Sequence, residues 1–303
     1  MGAMRVKTLD RLLPMLPKVA EMAARSSADN LREIRLRAGK PVQLVGDGGD
    51  QLLEVEADAA RLRRIAAALM DYSVYAREAE LSQGFFTMPD GCRVGVCGRI
   101  VGEGEALRLS AIGSICVRFA RSVRGCADAL MPHLIEKGEA RSMLILSPPG
   151  LGKTTMLRDA ARQLSDGGFC VGIADERHEI AACCQGVPAL DVGTRTDVID
   201  GCTRSEAIRR LIRSMAPQVI AVDEIGGASD AAALADAARC GVAVLATAHG
   251  ADLADAAARE CLSLLLENCL LSTLVLLGGR PGQIRQIIKL DGGKGAADAC
   301  RSA

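Results

Sequence analysis

The chain is poor in aromatic residues, in histidine and in net charge, and each shortage excludes a class of protein. Aromatic residues make up 2% of its 303 residues and tryptophan is absent, so aliphatic side chains must form the core, which suits helices packed on a parallel sheet. Lys plus Arg equals Asp plus Glu, 37 each, which argues against a chain whose main task is to hold nucleic acid. With three histidines and no C-x-x-C motif, a zinc site is not expected.

The sequence also lacks a segment that would carry it into or across a membrane. The charged N-terminus has too short an apolar run for a secretion signal. The longest apolar stretch, residues 262–277, is interrupted by Glu267 and Asn268 and is too short to span a bilayer. Twelve scattered cysteines then indicate free, buried thiols rather than a disulfide framework. We expect a cytoplasmic protein with no direct membrane insertion, held at a membrane only through a partner.

A glycine-rich loop between a predicted strand and a predicted helix carries the clearest functional signal. Residues 147–155 read SPPGLGKTT, after the apolar run 142–146 and before the helical pattern 156–164. Backbone N–H groups in such a loop can surround a phosphate, where the dipole of the following helix favours negative charge. Lys153 would neutralise the β- and γ-phosphates of ATP, and the Thr154 hydroxyl would bind Mg²⁺. The predicted phosphate-binding residues are Ser147, Pro148, Pro149, Gly150, Leu151, Gly152, Lys153, Thr154 and Thr155.

The loop departs from the usual pattern G-x-x-x-x-G-K-[ST] at its first position. Ser147 stands there in place of glycine. Pro148 and Pro149 have a fixed φ and no N–H group, so we expect them to shape the first turn and keep the loop open.

An acidic pair follows a later apolar strand and supplies the chemistry that this loop needs. Asp223 and Glu224 come directly after residues 219–222, seventy residues beyond Lys153. Asp223 is predicted to hold Mg²⁺ from the outer coordination shell of the metal, and Glu224 is predicted to orient or deprotonate the attacking water. The alternative is an acidic pair that only ends a strand in solvent.

Two further polar groups are predicted at the same edge of the sheet, because ligands bind where parallel strands end. The cluster 175–179, DERHE, follows the predicted strand 170–174, and His249 ends another strand. His249 could sense the γ-phosphate, or it could be structural. The alternative for the acidic cluster is a solvated loop held by local ion pairs. Arg209 and Arg213 share a helix face and could reach a phosphate across a subunit boundary, or they form a solvated basic surface.

The pattern of predicted elements divides the chain in two. Residues 1–138 are expected to form a smaller α+β N-terminal domain, and residues 139–303 an α/β domain with a parallel-rich central sheet. In the first domain, strands are predicted over 33–37, 42–45, 84–88, 92–97 and 112–119, and helices over 9–24, 62–70, 74–82 and 127–136. In the second, strands are predicted over 143–146, 170–174, 219–222 and 242–247, with a closing hairpin of 273–277 and 283–290 and a helix over 230–239.

A series of sequence blocks resembles the stage III sporulation protein AA family of the secretion-ATPase superfamily, found in endospore-forming bacteria. The blocks are EIRLRAGKPV, GCRVGVCGR, IGSICVRFAR, SPPGLGKTT, DERHEI, DVGTRTDVIDGC, IRSMAPQVIAVDEIG and TAHG. The resemblance implies a RecA-like P-loop ATPase domain behind the N-terminal domain, assembled as a ring, a hexamer. It also implies that DERHEI is the acidic box of secretion ATPases, with Glu176 and Glu179, and that TAHG is their His box at His249.

By this resemblance the catalytic residues are Glu224, Glu176 and His249. One departure is Gly227, which stands where a basic residue is expected in relatives. The implied protein is a peripheral cytoplasmic ATPase of the mother cell whose partners are membrane proteins of a channel or secretion complex between mother cell and forespore. The predicted function is ATP hydrolysis with Mg²⁺ that energises or assembles this complex.

Two alternatives differ in class from that function. The first is a catalytically relaxed scaffold that binds ATP to order itself, for which Ser147 and Gly227 are the best support. The second is a nucleic-acid-handling P-loop ATPase similar to chloroplast relatives, and it is weaker because the sequence shows no basic C-terminal RNA-binding module.

Overall fold

A computed structural model of the chain describes residues 6–16, 19, 31–46, 48–70, 81, 84–102, 108–120, 122–267 and 270–290. The chain forms two compact units. The first comprises residues up to 120 together with 182–189, and the second comprises 121–181 and the residues from 190 onward. Each unit contains a hydrophobic core of its own.

The first unit is built on a six-stranded sheet in which every pair of neighbours is antiparallel, in the order β3-β2-β1-β6-β5-β4. Its strands are β1 (Leu31–Arg37), β2 (Pro41–Gly46), β3 (Gly49–Glu56), β4 (Phe85–Thr87), β5 (Arg93–Val101) and β6 (Arg108–Arg118). Its helices are α1 (Val6–Leu12), followed by a 3-10 turn (Leu13–Met15), and α2 (Ala59–Leu69). Alternation in β1 buries Ile34 and Leu36, and these join Leu62 and Ile65 of α2 in one core.

The predicted strands of the first unit are confirmed, including the hairpin of β4 and β5. The predicted helix 62–70 is confirmed as α2, and the start of the predicted helix 9–24 as α1. Apart from Val19, residues 17–24 of the predicted helix 9–24 lie outside the described residues, and so does the predicted helix 74–82 apart from Leu81. The strand β3 was not predicted, because this edge strand buries only Leu53 and so carries no clear alternation.

The second unit is built on a seven-stranded sheet in the order β11-β10-β12-β13-β9-β14-β15, parallel except for the antiparallel β15. Its strands, after the short pair β7 (Ile135–Glu136) and β8 (Glu139–Ala140), are β9 (Met143–Ser147), β10 (Val171–Asp175), β11 (Thr196–Asp200), β12 (Val219–Val222), β13 (Ala243–His249), β14 (Thr273–Leu277) and β15 (Ile284–Lys289). Its helices are α3 (Met131–Leu134), α4 (Lys153–Asp166), α5 (Arg204–Met215), α6 (Ala228–Arg239), α7 (Leu253–Ala257) and α8 (Glu260–Glu267).

Every residue of β9, β10, β12 and β14 is buried, as expected for parallel strands that are covered on both faces. The predicted α/β class, the parallel-rich sheet and the closing hairpin of β14 and β15 are therefore confirmed. The sequence analysis missed β11, whose residues are all half-buried and form no apolar run.

The predicted helix 127–136 is wrong at its carboxyl end. A 3-10 turn (Asp128–Leu130) and α3 form its first part, but from Ile135 the chain is extended and β7 pairs with β8. Lys137 and Gly138 make the connecting turn with φ of 54° and 83°. Glycine adopts this left-handed conformation without steric cost, and residues 135–140 form a hairpin of the second unit.

The two compact units divide after Ala120, and the predicted domain boundary between residues 138 and 139 stays a prediction. Residues 121–138 belong to the second unit because they bond to α4. The Ala127 N–H donates to Oδ2 of Asp159 at 3.0 Å, and the Gln163 amide donates to Oδ1 of Asp128 at 2.8 Å. That the two units are separately folding domains stays a prediction.

Two expectations from composition concern cysteine and membrane insertion. Ten of the twelve cysteines lie in the described residues, and of these only Cys92 and Cys183 are buried. The predicted burial of the thiols is therefore wrong for most of them. None of the described helices has both the length and the apolar character that a membrane span requires.

Candidate functional site

The candidate site lies at the carboxyl edge of the second unit's sheet, where four neighbouring parallel strands end. β9 continues into the loop 147–152, β12 is followed by Asp223, and β10 and β13 end at Asp175 and His249. Because these strands are hydrogen-bonded side by side, their ends bring distant parts of the sequence together. Open α/β sheets bind ligands at this edge.

The loop 147–152 has the backbone shape of an anion cradle. Gly152 begins α4 as its N-cap residue with a φ of 87°, and Gly150 has a φ of 78°. Within the described residues no side chain caps this helix, so its first N–H groups remain available to a ligand. A Cβ at Gly150 would meet no atom within 4 Å, whereas one at Gly152 would lie 3.3 Å from the Gly282 backbone nitrogen.

Lys153 is held inside this loop. Its side chain is buried, and Nζ donates to the carbonyl oxygens of Ser147 at 3.0 Å and Pro148 at 3.3 Å. The Ser147 hydroxyl donates to the Pro148 carbonyl at 2.7 Å, so this serine closes the first turn where the usual pattern has glycine. Burial lowers the pKa of Lys153, although nearby carboxylates oppose that change.

Asp223 and Thr154 form the part of the site that fits a divalent cation. The Thr154 hydroxyl donates to Oδ2 of Asp223 at 2.6 Å, and the Thr247 hydroxyl donates to Oδ1. Burial raises the pKa of Asp223, the two hydroxyl bonds oppose this, and the negative charges of Glu224 and Asp175 add to it. Carboxylate and hydroxyl oxygens are hard ligands of the kind that Mg²⁺ prefers, so these residues fit the predicted metal.

Glu224 occupies an unusual backbone conformation beside this pair. Its φ is 53°, its N–H donates to the Thr247 hydroxyl at 2.8 Å, and Oε1 lies 3.0 Å from Nε2 of His249. Its second carboxylate oxygen forms an ion pair with Arg177. The other ring nitrogen of His249, Nδ1, lies 3.3 Å from Nζ of Lys153. His249 therefore connects the lysine of the loop with the acidic residue after β12.

The acidic cluster after β10 is anchored through its first residue. The buried carboxylate of Asp175 accepts three backbone N–H bonds, from Glu179 at 2.8 Å, Ile180 at 3.1 Å and Ala181 at 2.8 Å. These bonds fix the turn that carries Glu176. The Glu176 carboxylate pairs with Arg204 at 2.8 Å and does not contact Glu224 directly among the described interactions.

The structure brings most of the predicted site residues into direct contact with one another. These are Ser147, Pro148, Lys153, Thr154, Asp223, Glu224 and His249. The backbone oxygens of Leu151 and Thr155 instead bond to structural neighbours, Gly282 at 2.9 Å and Cys126 at 3.6 Å. The sequence analysis gave no role to Arg177 or Thr247. Thr247 could have been found as the polar residue within the apolar run of β13.

The fold is the RecA-like α/β fold, which solved ATPases share. The structure matches the pilus retraction motor PilT with bound ADP at a TM-score of 0.64 and 13% identity, over 93% of this chain and 85% of that one. It matches the ATPase DotB of Legionella pneumophila at a TM-score of 0.55 and 17% identity, over 86% and 75% of the two chains. At these identities the likeness concerns the fold alone, and it confirms the predicted fold class.

The chain belongs to the family described as Sporulation stage III, protein AA, whose model matches residues 6–294. It is 38% identical to Stage III sporulation protein AA of Bacillus subtilis (strain 168) over 270 residues, 86% of this chain and 88% of that protein. It is also 33% identical over 186 residues to Protein SEEDLING PLASTID DEVELOPMENT 1 of Arabidopsis thaliana, 60% of this chain and 26% of that protein. The predicted family is confirmed.

Proposed function

We propose that this protein hydrolyses ATP with Mg²⁺ at the loop 147–154 and the acidic residues after β12. The observation that carries the proposal is the 2.6 Å contact between the Thr154 hydroxyl and the Asp223 carboxylate. It joins a loop that fits phosphate to a carboxylate that fits Mg²⁺, although the two lie far apart in the sequence. The roles below follow from the contacts of this site.

The chain's own groups would bind and orient the nucleotide. Backbone N–H groups around Gly150 and Gly152 would hold the phosphates, and Lys153 would leave its carbonyl partners to neutralise them. Thr154 and Asp223 would hold the metal, Thr154 by its hydroxyl and Asp223 in the outer shell. Mg²⁺, when bound, neutralises charge on the phosphate oxygens.

Glu224 is the proposed base that orients or deprotonates the attacking water. His249 contacts both Glu224 and Lys153, and its proposed role is to make the position of that base depend on whether the γ-phosphate is present. Glu176 carries the acidic-box role proposed from the family resemblance, and its contact with Arg204 connects it to the backbone after β12.

The proposed output of hydrolysis is to energise or assemble a membrane channel or secretion complex during endospore formation. Support comes from membership of a sporulation stage III family and from the fold shared with proteins named as the ATPase DotB and the pilus retraction motor PilT. We propose a homo-oligomer, a hexameric ring, that sits in the cytoplasm of the mother cell and meets the membrane through partner proteins. Nucleic acid is not a proposed partner, since the net charge is zero.

A second candidate function is an ATP-binding scaffold without turnover. One observation favours it: both carboxylate oxygens of Glu224 are engaged, one by His249 and the other by Arg177. Each of these contacts occupies a site at which the carboxylate could otherwise accept a hydrogen bond from water. The two candidates share ATP binding and differ in phosphate release.

Phosphate release over a wide range of protein concentration separates the candidates. We expect release that rises with concentration as rings form, that falls by about 10²- to 10⁴-fold in Glu224→Gln, and that is lost together with ATP binding in Lys153→Ala. Glu206→Gln, which removes an exposed carboxylate paired with Arg210, is the matched control. ATP-dependent assembly at background rates in every variant would support the scaffold, and a wild type that binds no ATP would contradict both candidates.

A further inference from the structure

A buried arginine begins the helix that follows β11. Arg204 is the first residue of α5, and only 9% of it is exposed. The first turn of a helix carries positive partial charge, so a cation there is electrostatically unfavourable. A charged group that is also withdrawn from water needs strong compensating contacts. The position of Arg204 therefore indicates a specific task for its guanidinium.

The guanidinium supplies that compensation by linking three segments of the site. Nη2 pairs with Oε2 of Glu176 in the acidic cluster at 2.8 Å, and Nη1 lies 3.5 Å from Oδ2 of Asp230 in the first turn of α6. Nε donates to the carbonyl oxygen of Asp223 at 3.3 Å, and Nη1 donates to that of Glu224 at 3.2 Å. Two consecutive carbonyl groups after β12 thus depend on one side chain.

One of those two carbonyl groups belongs to a residue with an unfavourable backbone conformation. Glu224 has a φ of 53°, a left-handed conformation that residues with a side chain adopt at an energetic cost. Thr247 holds the N–H side of this residue, and Arg204 holds its carbonyl side. Since the direction of the Glu224 side chain follows from its backbone, Arg204 contributes to where that carboxylate points.

Arg204 also supplies a positive charge that the residues directly after Glu224 do not provide. Gly226 and Gly227 follow Glu224 and Ile225, so no side chain from this stretch can neutralise the surrounding carboxylates. The guanidinium of Arg204 reaches the carboxylates of Glu176 and Asp230 from a helix that precedes β12 in the sequence.

We infer that Arg204 is a positioning residue that holds Glu224 in its left-handed conformation and ties the acidic cluster to it through Glu176. Its effect on turnover rests on the proposed function, but its effect on the backbone does not. The two can therefore fail separately. Arginine suits the task because its planar fork reaches several acceptors at once, which lysine does not.

Hydrogen exchange of the protein without nucleotide tests the positioning itself. In Arg204→Gln we expect the amides of Glu224 and Ile225, which donate to Thr247, to exchange about tenfold faster than in the wild type. Arg239→Gln, which removes an exposed arginine paired with Asp236, should leave them unchanged. Unchanged exchange in Arg204→Gln would overturn the inference. An equal acceleration of hydrogen exchange across β14 would also overturn it, because it would indicate a global loss of stability.

Turnover provides a second, independent measurement. Arg204→Gln should retain ATP affinity within about threefold while phosphate release falls, and the double variant with Glu224→Gln should be no slower than Glu224→Gln alone, because both act through one group. Additive losses would overturn the inference. A wild type without turnover would refute the proposed function only, since exchange still decides the positioning. If Arg204→Gln does not fold, Arg204→Lys replaces it, and wild-type exchange in that variant counts against the role.

Discussion

Thr247 and Asp223 lie at the ends of the neighbouring parallel strands β13 and β12, and the Thr247 hydroxyl donates a hydrogen bond to Oδ1 of Asp223. The same hydroxyl oxygen accepts the N–H of Glu224 at 2.8 Å. Thr247 is fully buried, so water does not compete for these bonds. A single hydroxyl therefore orients the carboxylate proposed to hold Mg²⁺ and the backbone of the proposed base.

Replacement of Thr247 by valine tests that relationship. Valine keeps the shape but removes the hydroxyl, which leaves Oδ1 of Asp223 and the N–H of Glu224 without this partner. We expect the free energy of unfolding to fall by about 1–3 kcal/mol, the usual cost of a buried polar group that loses its partner. Urea unfolding measures it. Thr247→Ser, which keeps the hydroxyl and loses one methyl group, should cost about 1 kcal/mol, and equal stability of the two variants would contradict this account.

Arg177 is expected to restrain Glu224 in the absence of nucleotide. Its guanidinium pairs with one carboxylate oxygen of Glu224, and 57% of its side chain is exposed. An exposed ion pair is worth about 0.2–1 kcal/mol, so Arg177→Gln should release the carboxylate and raise phosphate release by about two- to fivefold at saturating ATP. Steady-state assays measure the rate of phosphate release. Arg239→Gln, which also removes an exposed arginine, is the control. A fall in rate would instead mean that Arg177 acts on the phosphates.

Sequence patterns predicted those parts of the site that lie within short, contiguous segments. The loop 147–155 is a contiguous motif, and the fully buried strands β9 and β12 are apolar runs that end where the loop and Asp223 begin. The contact between Thr154 and Asp223 is then expected, because ligands generally bind at the carboxyl edge of a parallel sheet, where both residues lie.

The parts that were missed depend on contacts between strands and on half-exposed elements. The role of Thr247 requires that β13 lies next to β12, which no local pattern reveals. The several contacts of Arg204 likewise join segments that are distant in the sequence. The strands β3 and β11 lie at sheet edges, where few side chains are buried, so their hydrophobic pattern is weak.

Two glycines of the loop provide a matched pair of variants. Gly150 and Gly152 both have φ near 80°, so alanine at either should cost about 1–2 kcal/mol through backbone strain. Only at position 152 would the new Cβ also press on Gly282, 3.3 Å away, whose N–H donates to Leu151 at 2.9 Å. We expect Gly152→Ala to be the less stable variant in thermal unfolding and the weaker ATP binder. Equal losses at both positions would show that the contact with Gly282 has no energetic weight.

The charge of Asp223 makes the stability of the nucleotide-free protein depend on pH. Burial raises the pKa of Asp223 above its ordinary value of 3.8, so the folded state keeps the proton to a higher pH than the unfolded state does. The resulting cost to stability is absent below that ordinary value, grows as the pH rises through the raised pKa, and is constant above it. Asparagine has the same shape and does not titrate.

We therefore expect Asp223→Asn to be more stable than the wild type at neutral pH without Mg²⁺, and the difference to shrink as the pH falls. Urea unfolding from about pH 8 to about pH 4 measures the difference. Asp236→Asn, which changes an exposed carboxylate, is the control whose difference from the wild type should stay small throughout. Added Mg²⁺ and ATP should stabilise the wild type and not Asp223→Asn, because only a ligand bound to the folded state shifts the equilibrium. A difference independent of pH would mean that the charge of Asp223 does not destabilise the nucleotide-free protein.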